Sequence, residues 1–231
     1  MTTGPALPAR RRLLGALPAL VVAAMACRSA SDSPSAPRSI RYVALGASDS
    51  VGVGAATPES ESWPAVLHRR LPPGSQLLNL GVAGTLVRQA VDQQLPVALA
   101  SQPDLVTIWL AVNDYGARSP LQPYLSDLGT LLGELRSKTG AAVLVGNIPD
   151  LSALPVASRF DLRFLDRWNA SIADTTRQHG ATLVDLHSAW TEVRAHPEYL
   201  SSDGFHPSTA GYVRLADRFY AQVAPALGLP A

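Results

Sequence analysis

From Ile40 onward, short apolar runs rich in β-branched residues alternate with longer stretches in which apolar side chains recur at helical spacing. A strand buried on both faces reads as a continuous apolar run, whereas a helix covering a sheet needs only one apolar stripe. The runs predict strands at about 40–46, 76–80, 104–110, 141–147 and 181–186, and the periodic stretches predict helices near 60–71, 85–99, 121–138, 161–179 and 208–225. Strand–helix alternation of this kind gives the α/β class, a parallel sheet covered on both faces. Such sheets place ligands beyond the carboxyl ends of their strands. No internal repeat or low-complexity segment interrupts this part.

The first forty residues of the 231 follow a different pattern. Arg10, Arg11 and Arg12 precede an apolar run from Leu13 to Ala26 that is interrupted by Pro18, with small residues before Cys27. A basic cluster, a short apolar segment and a small-residue site form the pattern of an export signal, here residues 1–26, and the run is too short to span a bilayer comfortably. Arg10-Arg11-Arg12-Leu13-Leu14 resembles a twin-arginine motif. Ala24-Met25-Ala26-Cys27 resembles a bacterial lipobox, which implies a lipidated Cys27 at the mature N-terminus. Residues 27–39, rich in serine, proline and alanine, read as a tether without the apolar surface to order itself. That leaves 40–231 as one domain of ordinary size. The expectation is an exported protein, held by its lipid on the outer side of the cytoplasmic membrane or secreted.

Charge and cysteine content narrow the function. The leader removes three basic groups and no acid, so the remainder carries sixteen basic against eighteen acidic side chains. That balance offers nothing to attract nucleic acid. Cys27 is the single cysteine, which leaves no intramolecular disulfide and no cysteine zinc cluster.

Candidate chemistry collects where the predicted strands end. Gly46-Ala47-Ser48-Asp49 follows the first strand, Asn79-Leu80-Gly81-Val82-Ala83-Gly84 the second, and Ala111-Val112-Asn113-Asp114 the third. Asp203-Gly204-Phe205-His206 precedes the last helix. A serine hydroxyl needs a base to take its proton, and a histidine held by a carboxylate is such a base near neutral pH. With these four fragments in this order, residues 40–225 resemble the SGNH (GDSL-like) hydrolases.

The resemblance implies a three-layer α/β/α sandwich with a mainly parallel, flavodoxin-like five-stranded sheet. It implies Ser48 as nucleophile, His206 as base and Asp203 as its partner. The oxyanion would be held by the N–H groups of Ser48 and Gly84 and by the amide of Asn113. The expected protein is a monomeric carboxylic ester hydrolase acting on a small-molecule or lipid ester, with no cofactor and no metal.

Two departures from the family pattern bear on this reading. Ala47 stands where the family usually has aspartate, and Ala111 where it usually has glycine. The first permits a rival register in which Asp49-Ser50 is the Asp-Ser pair and Ser50 the nucleophile. Aligning Gly46 with the family glycine keeps the strand end in place and favours Ser48. The departures also raise a second class, a non-catalytic lipoprotein that binds through the same fold; an acyltransferase is a third.

Among other histidines, His187 after the fifth strand is the runner-up base. His68 lies beside Arg69 and Arg70 on a predicted exposed helix, and His179 lies at a predicted helix end. Gly52-x-Gly54 lacks the third glycine of a dinucleotide loop, and neither serine sits in a Gly-x-Ser-x-Gly elbow. The leucines of 147–155 border a candidate acyl pocket or pack on the domain. Few aromatic residues lie near the four fragments, which favours a small or medium acyl ester over a sugar-stacking groove.

Overall fold

The structure is a computed structural model and describes residues 38–229. The export segment, Cys27 and the tether as far as residue 37 lie outside the described residues.

Five strands form one parallel sheet: β1 (Arg41–Gly46), β2 (Gln76–Asn79), β3 (Leu105–Trp109), β4 (Ala142–Gly146) and β5 (Thr182–Val184), in the order β2-β1-β3-β4-β5. The apolar runs explain the placement. Every residue of β3, and β1 after Arg41, is buried at the centre, whereas β2 at one edge is largely exposed. Val43 pairs with Leu78 on one side and Val106 on the other, which sets the register of the first three strands.

The helices are α1 (Ser48–Val51), α2 (Pro58–Glu61), α3 (Trp63–His68), α4 (Val87–Gln89), α5 (Leu95–Ala100), α6 (Ala111–Gly116), α7 (Leu121–Lys138), α8 (Leu165–Gln178), α9 (Leu186–Trp190) and α10 (Thr209–Leu227). The chain leaves β1 toward β2 in one direction and β3 toward β4 in the other. Right-handed crossovers therefore put α3 and α7 on opposite faces. Beside α3 lies α10, where Trp63 stacks on Phe219 with ring centroids 4.1 Å apart. On the other face α5, α7 and α8 pack in sequence. The result is the expected three-layer α/β/α sandwich, with a sheet that is wholly parallel.

The strand order reverses direction between β1 and β3, and sheets of this order bind ligands beyond the carboxyl ends of the strands at that point. Ser48 and Asn113 emerge there.

Two predicted helices are broken in the structure, each near a proline. The 60–71 segment divides at Ser62, whose backbone is extended (φ −58°, ψ 148°), and restarts with Pro64 in its first turn. The 85–99 segment contains a wide π turn over Ala90–Gln94, in which the Leu95 N–H donates to the Ala90 carbonyl five residues back. Pro96 follows; it has no N–H to donate, and in a regular α-helix its ring would meet the Asp92 carbonyl. Helices α1, α6 and α9 escape periodicity because they are too short to show it.

Among the described residues, no helix is long and apolar enough to cross a membrane.

Candidate active site

The chain passes from β1 into α1 through Ala47, whose carbonyl receives the N–H groups of both Ser50 and Val51 at 3.1 Å. This abrupt turn puts Ser48 in the first helical position. Gly52 (φ 94°) then ends the helix after one turn. A Cβ at Gly54 (φ 96°) would come within 2.6 Å of the Pro207 carbonyl, so a glycine there lets the serine loop touch the histidine loop.

The histidine loop is held by its own turn. Ser201 donates its N–H to the His206 carbonyl at 2.9 Å, and Gly204 (φ 68°) donates back to Ser201 at 3.0 Å. Asp203 Oδ1 accepts from the Ser201 hydroxyl and from the N–H groups of Phe205 and His206, all at 2.8–2.9 Å. Its other oxygen lies 2.6 Å from His206 Nδ1. Across the gap, His206 Nε2 is 3.0 Å from Ser48 Oγ. Three side chains from two segments 155 or more positions apart thus form one continuous hydrogen-bonded line.

Burial pushes the Asp203 carboxyl up, but the His206 ring, the two backbone N–H groups and Ser201 together outweigh it. The group stays well below the usual carboxylate range, and so charged. A fixed negative charge at Nδ1 selects the tautomer that leaves Nε2 able to accept a proton.

Loop 80–86 brings the second fragment to the same rim. Asn79 ties it to the serine loop: its Nδ2 donates to the Ser50 carbonyl at 2.6 Å, and its Oδ1 accepts from the Gly81 N–H at 3.1 Å. Gly84 (φ 81°) has open space where a Cβ would be, so this position needs glycine for its backbone angle alone. Asn113 donates one amide hydrogen to the Thr85 carbonyl at 3.1 Å, which aims the side chain and leaves its second N–H for another acceptor. The N–H groups of Ser48 and Gly84 meet no acceptor among the described residues. Asp114 accepts the Val87 N–H at 2.9 Å and links the Asn113 helix to α4; burial lifts its carboxyl to about 6.

Both departures from the family pattern fit the backbone. Ala47 is buried with φ −122°, an angle any residue adopts, and Ala111 is buried in the first turn of α6. Of the two serines weighed above, Ser50 is fully buried, and its Oγ faces Gly46 with no hydrogen-bond partner.

His187, the runner-up base, turns its Nε2 toward Asp166, 3.9 Å away on α8, and is not joined to either serine. His68 donates its Nε2–H to the Ser75 carbonyl at 2.9 Å, and His179 packs on Gly129 and Gly133 of α7. Leu151 and Leu154 are buried in the core.

Three features here had no role assigned to them in the sequence. Asp49, one residue after Ser48, lies within electrostatic reach of His206 and Asp203, and burial lifts its carboxyl to about 6 against the pull of the imidazole. Phe205 sets its ring edge-on to His206, with centroids 4.8 Å apart, and Phe160 stacks on Phe205 at 5.9 Å. Phe160 comes from a segment that no motif marked, so an aromatic wall stands where the sequence showed few aromatics. Asn79 carried no signal beyond its place in the second fragment. Among the described residues, no group of three or more histidine, cysteine or acidic side chains is arranged to hold a metal.

Comparison with known proteins agrees with this geometry. A model of the GDSL-like lipase/acylhydrolase family matches residues 44–214. The chain is 24% identical over 161 residues to an acetylxylan esterase of Geobacillus stearothermophilus, covering 65% of this chain and 73% of that protein. It is 23% identical over 180 residues to thioesterase 1/protease 1/lysophospholipase L1 of Escherichia coli K12, covering 77% and 81%. The fold superposes on a lipase/acylhydrolase from Enterococcus faecalis with a TM-score of 0.65 at 19% identity, covering 80% of this chain and 96% of that one. It also superposes on the esterase EstA from Pseudoalteromonas sp., with a TM-score of 0.66 at 18% identity and coverages of 81% and 98%. Because the family model takes in both ends of the Ser48–His206 line and well over half of the chain, the chain belongs to the GDSL-like lipase/acylhydrolase family, and with it to the carboxylic ester hydrolases.

Proposed function

We propose that the protein cleaves carboxylic esters through an acyl-serine intermediate on Ser48. The observation that carries this reading is the line Asp203–His206–Ser48, with contacts of 2.6 and 3.0 Å. His206 Nε2 takes the hydroxyl proton as Ser48 Oγ attacks the ester carbonyl, and Asp203 stabilises the imidazolium that forms. The N–H groups of Ser48 and Gly84, with the second amide hydrogen of Asn113, hold the oxyanion. His206 then protonates the departing alcohol. Water attacks the acyl-enzyme with His206 again as base, which frees the acid and restores the serine.

The sequence favoured a small or medium acyl ester because it showed few aromatics, and the Phe160–Phe205 pair beside His206 puts acetylated sugars on an equal footing. A panel of p-nitrophenyl esters of rising chain length, beside acetylated sugars and a lysophospholipid, ranks the options. Fluorophosphonate labelling with peptide mapping tests the nucleophile: label on Ser48, absent from Ser48→Ala, is expected. Label on Ser50 with Ser48 untouched overturns the assignment.

On the sequence pattern of residues 1–39 we also propose export and lipid anchoring through Cys27. Cys27→Ser should move the protein from the membrane to the soluble fraction; unchanged fractionation removes the anchor.

A further inference from the structure

We infer that Gln94 is a positioning residue for the nucleophile, acting through the last peptide groups of β1. This rests on Ser48 being the nucleophile. Gln94 lies in the π turn between α4 and α5, and its side chain is buried against the end of the sheet. Its Oε1 accepts the Gly46 N–H at 3.0 Å, and its Nε2 donates to the Gly46 carbonyl at 2.9 Å. One side-chain amide therefore satisfies both backbone groups of the residue two positions before Ser48.

The sheet itself leaves this task open. β2 ends at Asn79, and beyond it only the Val82 N–H reaches Gly46, at 3.3 Å on the carbonyl. Without Gln94 the Gly46 N–H would be a buried donor with no partner. Gly46 is also the point of closest packing under the serine turn: a Cβ there would lie 1.9 Å from Ser50 Oγ. The peptide that Gln94 grips thus fixes where the chain leaves the sheet, and so the direction of both the Ser48 hydroxyl and the Ser48 N–H.

The π turn is what delivers the amide. A regular helix would rotate residue 94 differently about the axis, whereas the extra residue of the wide turn presents Gln94 to β1. Pro96 keeps the turn wide because it cannot supply the α-helical donor.

The chemistry of the grip supplies its test. A neutral carboxylic acid carries one donor and one acceptor, as an amide does; a carboxylate carries acceptors alone. Gln94→Glu therefore keeps the grip while protonated, a state that burial prolongs toward neutral pH, and loses it on ionisation. Gln94→Met removes the grip at every pH.

Turnover of p-nitrophenyl acetate and the rate of fluorophosphonate labelling are measured against pH for wild type and both variants, with circular dichroism at each pH. Gln94→Met is expected to lower kcat and labelling by ~10–10²-fold with KM nearly unchanged, the scale of a small misplacement of a reacting group. Gln94→Glu should match wild type at the acid end and fall below it by about tenfold or more at the alkaline end, reversibly and with the fold intact. A ratio to wild type that stays constant with pH, wild-type labelling of Gln94→Met, or losses that track unfolding would each overturn the proposal. Wild-type protein labelled at a residue other than Ser48 overturns the nucleophile assignment instead, so the two failures are separable.

Discussion

At the scale of single residues, the site depends on which polar groups are already committed and which remain free. Asn113 has committed one amide hydrogen to Thr85, so in the proposed reaction the other would be pre-aimed at the oxyanion without further ordering. Asn113→Ala is expected to lower kcat by ~10²–10³ while leaving the melting transition near that of wild type. Wild-type turnover in that variant would remove Asn113 from the oxyanion site. Its neighbour Asp114 illustrates the opposite case, a buried acid whose charge opposes folding. The carboxyl sits at about 6 in the fold against an ordinary 3.8. An acid raised by folding favours the folded state while protonated, below pH 3.8, and loses that advantage progressively up to about pH 6. Asparagine keeps an acceptor for the Val87 N–H without the charge. Asp114→Asn should therefore be more stable than wild type at pH 8, by up to ~3 kcal/mol, with the difference vanishing below pH 4. Denaturant titrations at the two pH values measure it, and an equal effect at both would refute the charge argument.

At the scale of elements, two loops must meet closely for the relay to form, and glycine is what allows it. Gly54 packs its backbone against the Pro207 carbonyl, one residue from His206. Gly54→Ala adds a methyl at φ 96° with 2.6 Å of room, so the loops must part. The expected result is a loss of ~1–3 kcal/mol in stability together with a disproportionate fall in kcat. A thermal melt and steady-state kinetics on one sample compare the two, and an unaltered kcat would show that the serine and histidine loops are positioned independently. The longer elements were legible in the sequence because their burial repeats: β3 is apolar throughout, and α7 falls where the periodicity put it, at 121–138. The one-turn helices and the π turn were not legible. Four to six residues cannot display a period, and the wide turn is a response to Pro96 that depends on what the helix packs against.

At the scale of the whole molecule, the two helical layers hold the sheet so that its carboxyl edge is a fixed platform. Trp63 is fully buried between α3 and α10, stacked on Phe219 and edge-on to Trp109 of β3 with centroids 6.5 Å apart. Trp63→Ala should cost about 3–5 kcal/mol and lower the melting temperature markedly. Any variant that stays folded should still be labelled on Ser48, since α3 supplies none of the hydrogen bonds of the Asp203–His206–Ser48 line. A small effect on melting would mean that this layer collapses around the cavity without loss.

The amino-acid order alone determined the α/β alternation, the membership of the four fragments in one site and the identity of Ser48, Gly84, Asn113, Asp203 and His206 as its candidates. The alternation is carried by burial that repeats along a strand or helix, and the five candidates by the resemblance of four short fragments at strand ends to the GDSL-like family. Only the folded chain decided which serine faces the imidazole, that Asp49 adds a second carboxylate beside it, that Phe160 and Phe205 wall it, and that Gln94 grips the strand below it. These are contacts between residues distant in sequence, set by the packing of side chains against the sheet, and a linear pattern does not encode them.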